Sequence, residues 1–152
     1  MTPRQRLLAA IAGDPSLVER LLVVAEGPPI ETIRGPDDCY RLFAPLLEGL
    51  AVEHFAVAAL DRRNRVIAVE TLTTGCDAFC IVDPKQIFRW ALLQGRSGAT
   101  GILLAHNHPS GDPTPSAQDH EVTRRVRRAG EIVGIKLLDH IVIGGGTYDR
   151  VD

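Results

Sequence analysis

The chain has 152 residues, and its 45% hydrophobic and 24% charged residues are typical of one globular domain, not of a disordered or fibrous protein. A formal net charge of −2 provides no overall attraction to nucleic acids or membranes, and no apolar run approaches the ~20 residues that span a bilayer. We therefore expect no membrane partner. The three cysteines form no CxxC pair, so we also expect a cytoplasmic protein with no thiolate zinc site.

Residues 1–30 are predicted to form a short helical extension. Apolar residues recur at helical spacing between residues 4 and 24, and Gly13-Asp14-Pro15 divides them into two short helices. The same interruption shortens the N-terminal apolar stretch and argues against a signal peptide. Ala25–Pro29 contains one glycine and two prolines, which predicts a linker. We therefore expect a main domain over residues 31–152.

The main domain is predicted to alternate strands and helices. Asp83 is suited to cap a helix and Pro84 to its first position, whereas the uninterrupted apolar run Gly101–Ala105 is typical of a buried strand. The predicted elements are a helix around Cys39–Phe43, a hairpin of Glu53–Leu60 and Val66–Leu72, a helix from Pro84 to Gly95, a strand at Gly101–Ala105, a helix at Ser116–Ala129 ended by Gly130, and a strand at Ile135–Ile143. This order predicts an α/β domain whose mixed sheet has helices packed against its faces.

Two histidines follow the buried strand Gly101–Ala105. Because side chains alternate along a strand, His106 and His108 are expected to point to the same side. Prolines and glycine between residues 109 and 115 then turn the chain. The helix that starts at Ser116 is expected to bring Asp119 back toward the two imidazoles.

Asp119 is predicted to lie on a buried helix face. It shares that face with Val122, Val126, Ala129 and Val133. A buried carboxylate needs a cationic partner, and two imidazole nitrogens with one carboxylate oxygen form the open ligand set of a catalytic zinc site. We therefore expect one zinc ion per chain, bound by His106, His108 and Asp119. Ser116-x-x-Asp119 also matches a capping box, which is compatible with metal binding.

These residues resemble a known metal motif. The pattern HxHPx₆SxxD that begins at His106 matches that of the JAMM (MPN-plus) metallopeptidases, and HNHPSGDPTPSAQD with the later LLDHIVIG resembles the RadC family of bacterial JAMM-like proteins. The resemblance extends from about Ile33 to Tyr148. It implies a sheet sandwiched by helices, related to the cytidine-deaminase architecture. It also implies that His106, His108 and Asp119 bind zinc and that Ser116 helps to hold the oxyanion.

The JAMM pattern also requires a glutamate on the first hairpin strand. Glu53 opens that strand, whereas Glu70 lies on the second, so Glu53 is favoured as the catalytic base and Glu70 is the alternative. The resemblance implies zinc-dependent hydrolysis of a peptide or isopeptide bond in a protein or peptide substrate. Glu53 would accept a proton from metal-activated water, and Ser116 would donate to the oxyanion.

Two features separate the chain from better-known relatives. Asn107 lies between the histidines, as in the RadC branch, where eukaryotic JAMM deubiquitinases have Ser or Thr. The first 30 residues lack the glycine pattern of the helix-hairpin-helix region that longer RadC proteins carry, so no DNA-binding module is expected there.

The alternative function is that of a DNA-associated protein. Four arginines (Arg124, Arg125, Arg127 and Arg128) are predicted on the helix face opposite the apolar stripe, and Arg62, Arg63 and Arg65 in the hairpin loop could extend the patch. A solvated helix face has the same pattern, and a pI of about 6.2 argues against avid binding. A metal-free interaction domain is disfavoured because every expected ligand is present.

A second polar pair lies within the last predicted strand. Asp139 and His140 are expected on opposite faces, so at most one can approach the metal site. That residue would either orient a ligand imidazole through a hydrogen bond or be an ordinary hydrogen-bonded polar group of the core.

Overall fold

The computed structural model describes residues 31–74, 82–96 and 98–152. The predicted extension, residues 1–30, and the cysteines Cys76 and Cys80 lie outside these ranges. The described elements are α1 (Pro36–Leu47), β1 (His54–Leu60), β2 (Val66–Thr74), α2 (Pro84–Leu92), β3 (Gly101–Asn107), α3 (Ala117–Val133), β4 (Lys136–Gly144) and β5 (Thr147–Arg150). None of the described helices is long and apolar enough to cross a membrane.

The strands form one mixed sheet in the order β2-β1-β3-β4-β5. β1 is antiparallel to both β2 and β3, β3 is parallel to β4, and β4 is antiparallel to β5. The parallel pair requires a crossover, which α3 provides. In the register of β1 and β3, Phe55 is opposite His106, so the beginning of β1 lies beside the end of β3. The predicted mixed α/β sheet is confirmed.

Helices cover both faces of the sheet. As a result, strands β1 and β3 are buried along their whole length. One face packs against α1 and the other against α2 and α3. The α1 face includes Ala56, Ala58, Leu103 and Ala105, and the opposite face includes Val57, Ala59, Ile102 and Leu104. Alternation along β3 places His106 on the α2 and α3 face.

Gly130 does not end α3, contrary to the sequence prediction. The helix continues to Val133, and Gly134 caps it in the left-handed conformation with a φ of 84°. Gly130 is instead a packing residue. A Cβ atom there would lie 2.3 Å from the backbone oxygen of Ile135 and 3.3 Å from the ring of Phe88. The two glycines differ in their tertiary contacts, which helical periodicity does not reveal.

Other boundaries also differ from the prediction. Helix α1 begins at Pro36, ahead of the predicted apolar stretch, and α2 ends at Leu92, before Gly95. Val133 is exposed and therefore does not belong to the buried face of α3. Strand β5 was not predicted. The cap was predicted correctly, because the side chain of Asp83 accepts a hydrogen bond from the backbone N–H of Lys85.

Candidate metal centre

A cleft of about 260 Å³ opens at one end of the sheet. Its lining includes the five residues expected at the site, which are Glu53, His106, His108, Ser116 and Asp119. Three elements supply them, since Glu53 directly precedes β1, the histidines lie at the end of β3, and Asp119 is in the first turn of α3. Glu70, the alternative base, is an exposed residue of β2 and is not among the lining residues.

The donor atoms of the cleft converge. The Nε2 atoms of His106 and His108 are 3.2 Å apart. Asp119 places Oδ1 at 3.1 Å from Nε2 of His106 and Oδ2 at 3.4 Å from Nε2 of His108. Oε1 of Glu53 is 3.9 Å from both nitrogens. Glu53 and the two histidines present donor atoms that all lie within 4.8 Å of one another, so these three residues could hold a metal ion.

This geometry places the Glu53 carboxylate in the same cluster as the two expected histidine ligands. The sequence predicts Glu53 as the base and Asp119 as the third ligand. In the structure, both carboxylates face the two imidazoles. Asp119 is nearer to Nε2 of His106, at 3.1 Å against 3.9 Å for Glu53. It is also less exposed, with 15% of its side chain accessible against 30% for Glu53.

Asp119 is held by its own helix. Its Oδ2 accepts a hydrogen bond from the backbone N–H of Ser116 at 2.7 Å, and Oγ of Ser116 accepts one from the N–H of Asp119 at 3.1 Å. The capping box is therefore formed. Because Oγ acts as an acceptor here, its hydroxyl hydrogen can still be donated into the cleft.

The electrostatics of the cleft favour positive charge. Burial alone would raise the pKa of Asp119, but hydrogen bonds from the imidazoles of His106 and His108 in their protonated form hold that pKa well below its usual range. The hydrogen bond to Asp119 in turn raises the pKa of His108. Asp119 is thus a carboxylate, and a cation beside it is stabilised.

The match to known families decides the identity of this fold. A model of the RadC-like JAB domain matches residues 33–149. The chain belongs to the RadC-like JAB domain family. Its relatives include UPF0758 proteins from Caldanaerobacter subterraneus subsp. tengcongensis (42% identical, covering 86% of this chain and 54% of the relative) and Listeria monocytogenes serovar 1/2a (43% identical, covering 94% and 60%). The chain thus spans only a little over half the length of these relatives.

In this RadC-like domain, the loop that carries His108 is fixed by backbone contacts. The N–H of His108 donates to the carbonyl of Ile143 at 2.9 Å. Gly145 lies against the loop so closely that a Cβ would be 2.7 Å from the oxygen of Gly111. Nδ1 of His108 is 2.9 Å from the carbonyl oxygen of Asp112. A carbonyl only accepts hydrogen bonds, so Nδ1 carries the hydrogen and the Nε2 lone pair of neutral His108 faces the cleft.

Asn107 has a structural role that sequence reasoning did not identify. Its Oδ1 accepts a hydrogen bond from the N–H of His54 at 2.7 Å, and its Nδ2 donates to the carbonyl of Val52 at 3.0 Å. These two backbone groups flank Glu53, so Asn107 fixes the chain on both sides of the carboxylate. The alternation that orients the histidines toward the cleft turns Asn107 to the other face of the sheet.

Asp139 and His140 do point in opposite directions. Asp139 accepts a hydrogen bond from Arg150, whereas His140 is buried beside His106. Burial lowers the pKa of His140 well below its ordinary value, so this imidazole is neutral. Thr123, which contacts His140, is a residue that the sequence pattern did not predict at the site. Its only local signal is its position one helical turn after Asp119.

We expect Asn107→Ala to lower the free energy of unfolding by about 1–3 kcal/mol, because the buried N–H of His54 loses its acceptor. Urea denaturation measures this change. Gln94→Ala is a matched control, since it removes a side-chain amide whose hydrogen bond to Trp90 is local and only partly buried. Equal stability of the wild type and the Asn107 variant would contradict the assignment.

Proposed function

We propose that the domain is a zinc-dependent hydrolase of the JAMM type that cleaves a peptide or isopeptide bond in a protein or peptide substrate. The main support is the convergence of two imidazole nitrogens and two carboxylates in one cleft. Family membership adds to it, because the JAB-domain family includes hydrolases. We assign this function to a domain at residues 31–152, separate from an extension at residues 1–30. We also propose that the domain works in a reducing cytoplasm.

The residues present fit a zinc ion. Two nitrogens that bind one zinc ion at 2.0–2.1 Å with a tetrahedral angle lie about 3.3 Å apart. The Nε2 atoms of His106 and His108 are 3.2 Å apart, and the Asp119 oxygens lie at similar distances from them. Imidazole with carboxylate suits zinc, whereas calcium and magnesium prefer sites built from oxygen alone. We therefore assign one zinc ion to each chain.

We assign Asp119 as the third ligand and Glu53 as the base. Asp119 is nearer to both nitrogens, and the N–H of Ser116 fixes its orientation. Glu53 lies farther away at 3.9 Å, more exposed to solvent, where its carboxylate can exchange a proton with water and substrate. With His106, His108 and Asp119 as its protein ligands, a zinc ion would still have room for the water that catalytic zinc sites activate.

The protein groups then have distinct tasks in amide hydrolysis. A zinc ion supplies Lewis-acid activation of water and of the scissile carbonyl. Glu53 accepts a proton at its carboxylate and returns it to the leaving amine. The Ser116 hydroxyl donates a hydrogen bond to the oxyanion. Phe55, Val82 and Val122 give the cleft an apolar wall against which a substrate chain can pack.

Glu53→Gln and Asp119→Asn separate the two carboxylate roles. Glu53→Gln should retain zinc but lower the rate of amide hydrolysis ~10²–10⁴-fold, because the proton acceptor is lost. Asp119→Asn should lose both zinc and activity, because an amide is a poor ligand and the compensating negative charge is removed. Metal analysis and a peptide or isopeptide cleavage assay, with a substrate selected on zinc-loaded wild type, measure both quantities.

Glu70→Gln is the matched control for the base, and it should retain both zinc and activity. Full activity of Glu53→Gln together with loss of activity in Glu70→Gln would transfer the catalytic role to β2. If neither variant changes the rate, a glutamate-assisted hydrolysis is the wrong reaction.

A DNA-associated function is the second candidate, and the arginines of α3 favour it. Arg124, Arg125, Arg127 and Arg128 are all exposed, and none forms an ion pair with another residue in the described ranges. They are therefore available to phosphate groups. They lie on a different surface from the cleft, so this function would leave the metal centre in a supporting role.

Replacing these four arginines with glutamine should change the free energy of unfolding by no more than ~0.5 kcal/mol per site, because exposed side chains contribute little to stability. Zinc content and hydrolysis should be unaffected. The measurements are urea denaturation, metal analysis and titration with duplex DNA at several salt concentrations. Salt-sensitive DNA binding by the wild type that disappears in this variant would instead favour the DNA-associated function.

A further inference from the structure

A chain of three hydrogen bonds runs behind the metal centre from β3 to α3. Nδ1 of His106 is 2.9 Å from Nε2 of His140, and Nδ1 of His140 is 2.7 Å from Oγ1 of Thr123. The Thr123 hydroxyl in turn lies 2.7 Å from the backbone oxygen of Asp119. His106, His140 and Thr123 are only 2%, 1% and 0% exposed, so water does not compete for these bonds.

The direction of every bond in this chain is determined by its last member. The Asp119 carbonyl can only accept, so the Thr123 hydroxyl must donate its single hydrogen there. Oγ1 then accepts from Nδ1–H of His140. Neutral His140 is left with a lone pair on Nε2, which accepts from Nδ1–H of His106.

We propose that His140 and Thr123 are positioning residues that hold His106 in the tautomer with a free Nε2 lone pair aimed at the metal. The inference rests on the proposed zinc centre and extends it to two residues that touch neither metal nor substrate. It also explains how ligands on different elements stay aligned, because the chain joins the β3 ligand His106 to the backbone of the α3 ligand Asp119.

Aromatic packing holds the two rings in place. The ring of Phe55 stacks on His106 with a centroid distance of 5.8 Å and an interplanar angle of 9°. The same ring meets His140 at 5.5 Å and 67°. Neither imidazole can rotate freely to exchange its partners, so the hydrogen-bond direction set at Thr123 is transmitted to His106.

An ordinary core role accounts poorly for this arrangement. The Thr123 hydroxyl already donates its hydrogen to the backbone carbonyl of Asp119, one helical turn earlier. This hydrogen bond does not require a histidine nearby. A buried imidazole costs free energy unless both of its nitrogens are paired. Here both nitrogens of His140 form hydrogen bonds, one with Thr123 and the other with His106, a proposed metal ligand.

Thr123→Val tests the inference because it keeps the β-branched shape and removes only the hydroxyl. His140 can then place its hydrogen on Nε2, which drives His106 toward the tautomer with hydrogen on its own Nε2. We expect the zinc affinity of the metal-free protein to fall ~10–100-fold, the range found when a hydrogen-bond partner of a ligand is lost. Competition with a chromophoric chelator measures the affinity, and ¹⁵N NMR of the metal-free protein at alkaline pH measures the His106 tautomer.

Thr123→Ser is the rescue variant, since it restores the hydroxyl and should restore both affinity and tautomer. Val126→Ala is the control for destabilisation, because it opens a cavity in the same helix one turn away and should lower the unfolding midpoint without changing zinc affinity. His140→Gln, whose amide oxygen can accept from His106, should bind zinc more tightly than His140→Leu. This second pair decides the question if Thr123→Val does not fold.

The results distinguish this inference from the proposed function. Wild type that binds no zinc contradicts the zinc centre, and the NMR comparison of wild type with Thr123→Val then still decides whether the chain sets the tautomer. Equal zinc affinity and the same His106 tautomer in wild type and Thr123→Val would overturn the inference. Failure of Thr123→Ser to restore the tautomer would do so as well.

Discussion

Two imidazole nitrogens 3.2 Å apart, faced by two carboxylates, form the interaction on which the rest of this structure depends. In their neutral forms, His106 and His108 direct lone pairs toward the same point. Such an arrangement is repulsive unless a positive charge, either a proton or a metal ion, lies between the nitrogens. The cluster could therefore hold a cation, and the fold assembles it although carboxylates are partly withdrawn from water.

Each member of the cluster is held by a backbone group. The Asp112 carbonyl orients His108, the Ser116 N–H holds Asp119, and Asn107 binds the backbone around Glu53. His106 reaches a backbone carbonyl indirectly, through two side chains. Backbone groups of a sheet and of a capped helix are held by regular hydrogen bonds, so their contacts fix the positions of the donor atoms. Such preorganisation favours metal binding and catalysis.

Local sequence patterns predicted the part of the site that depends on alternation and helical periodicity. These patterns predicted that His106 and His108 point to the same side and that Asp119 lies close to them. They failed where distant contacts decide the structure. Gly130 and Gly134 look alike as helix terminators, yet only the approach of Ile135 and Phe88 distinguishes them.

The remaining gaps have similar physical causes. Asn107 binds backbone groups more than fifty residues away in the chain, and the partner of His140 is on another element. Strand β5 has four residues, which are too few for a clear alternating pattern. Its extended structure depends on antiparallel pairing with β4. The separate roles proposed for Glu53 and Asp119 rest on distances to the imidazole nitrogens that differ by less than one ångström, and no spacing in the sequence encodes such a difference.

The measurement that tests this account most directly is the metal content of the purified chain after reconstitution with zinc at neutral pH. The wild type and a His106→Ala/His108→Ala double variant are compared under the same conditions. We predict one zinc ion per chain in the wild type and none in the variant, with both proteins folded. A zinc-free wild type, or a variant that retains the ion, would contradict the assignment of this cleft as a metal centre.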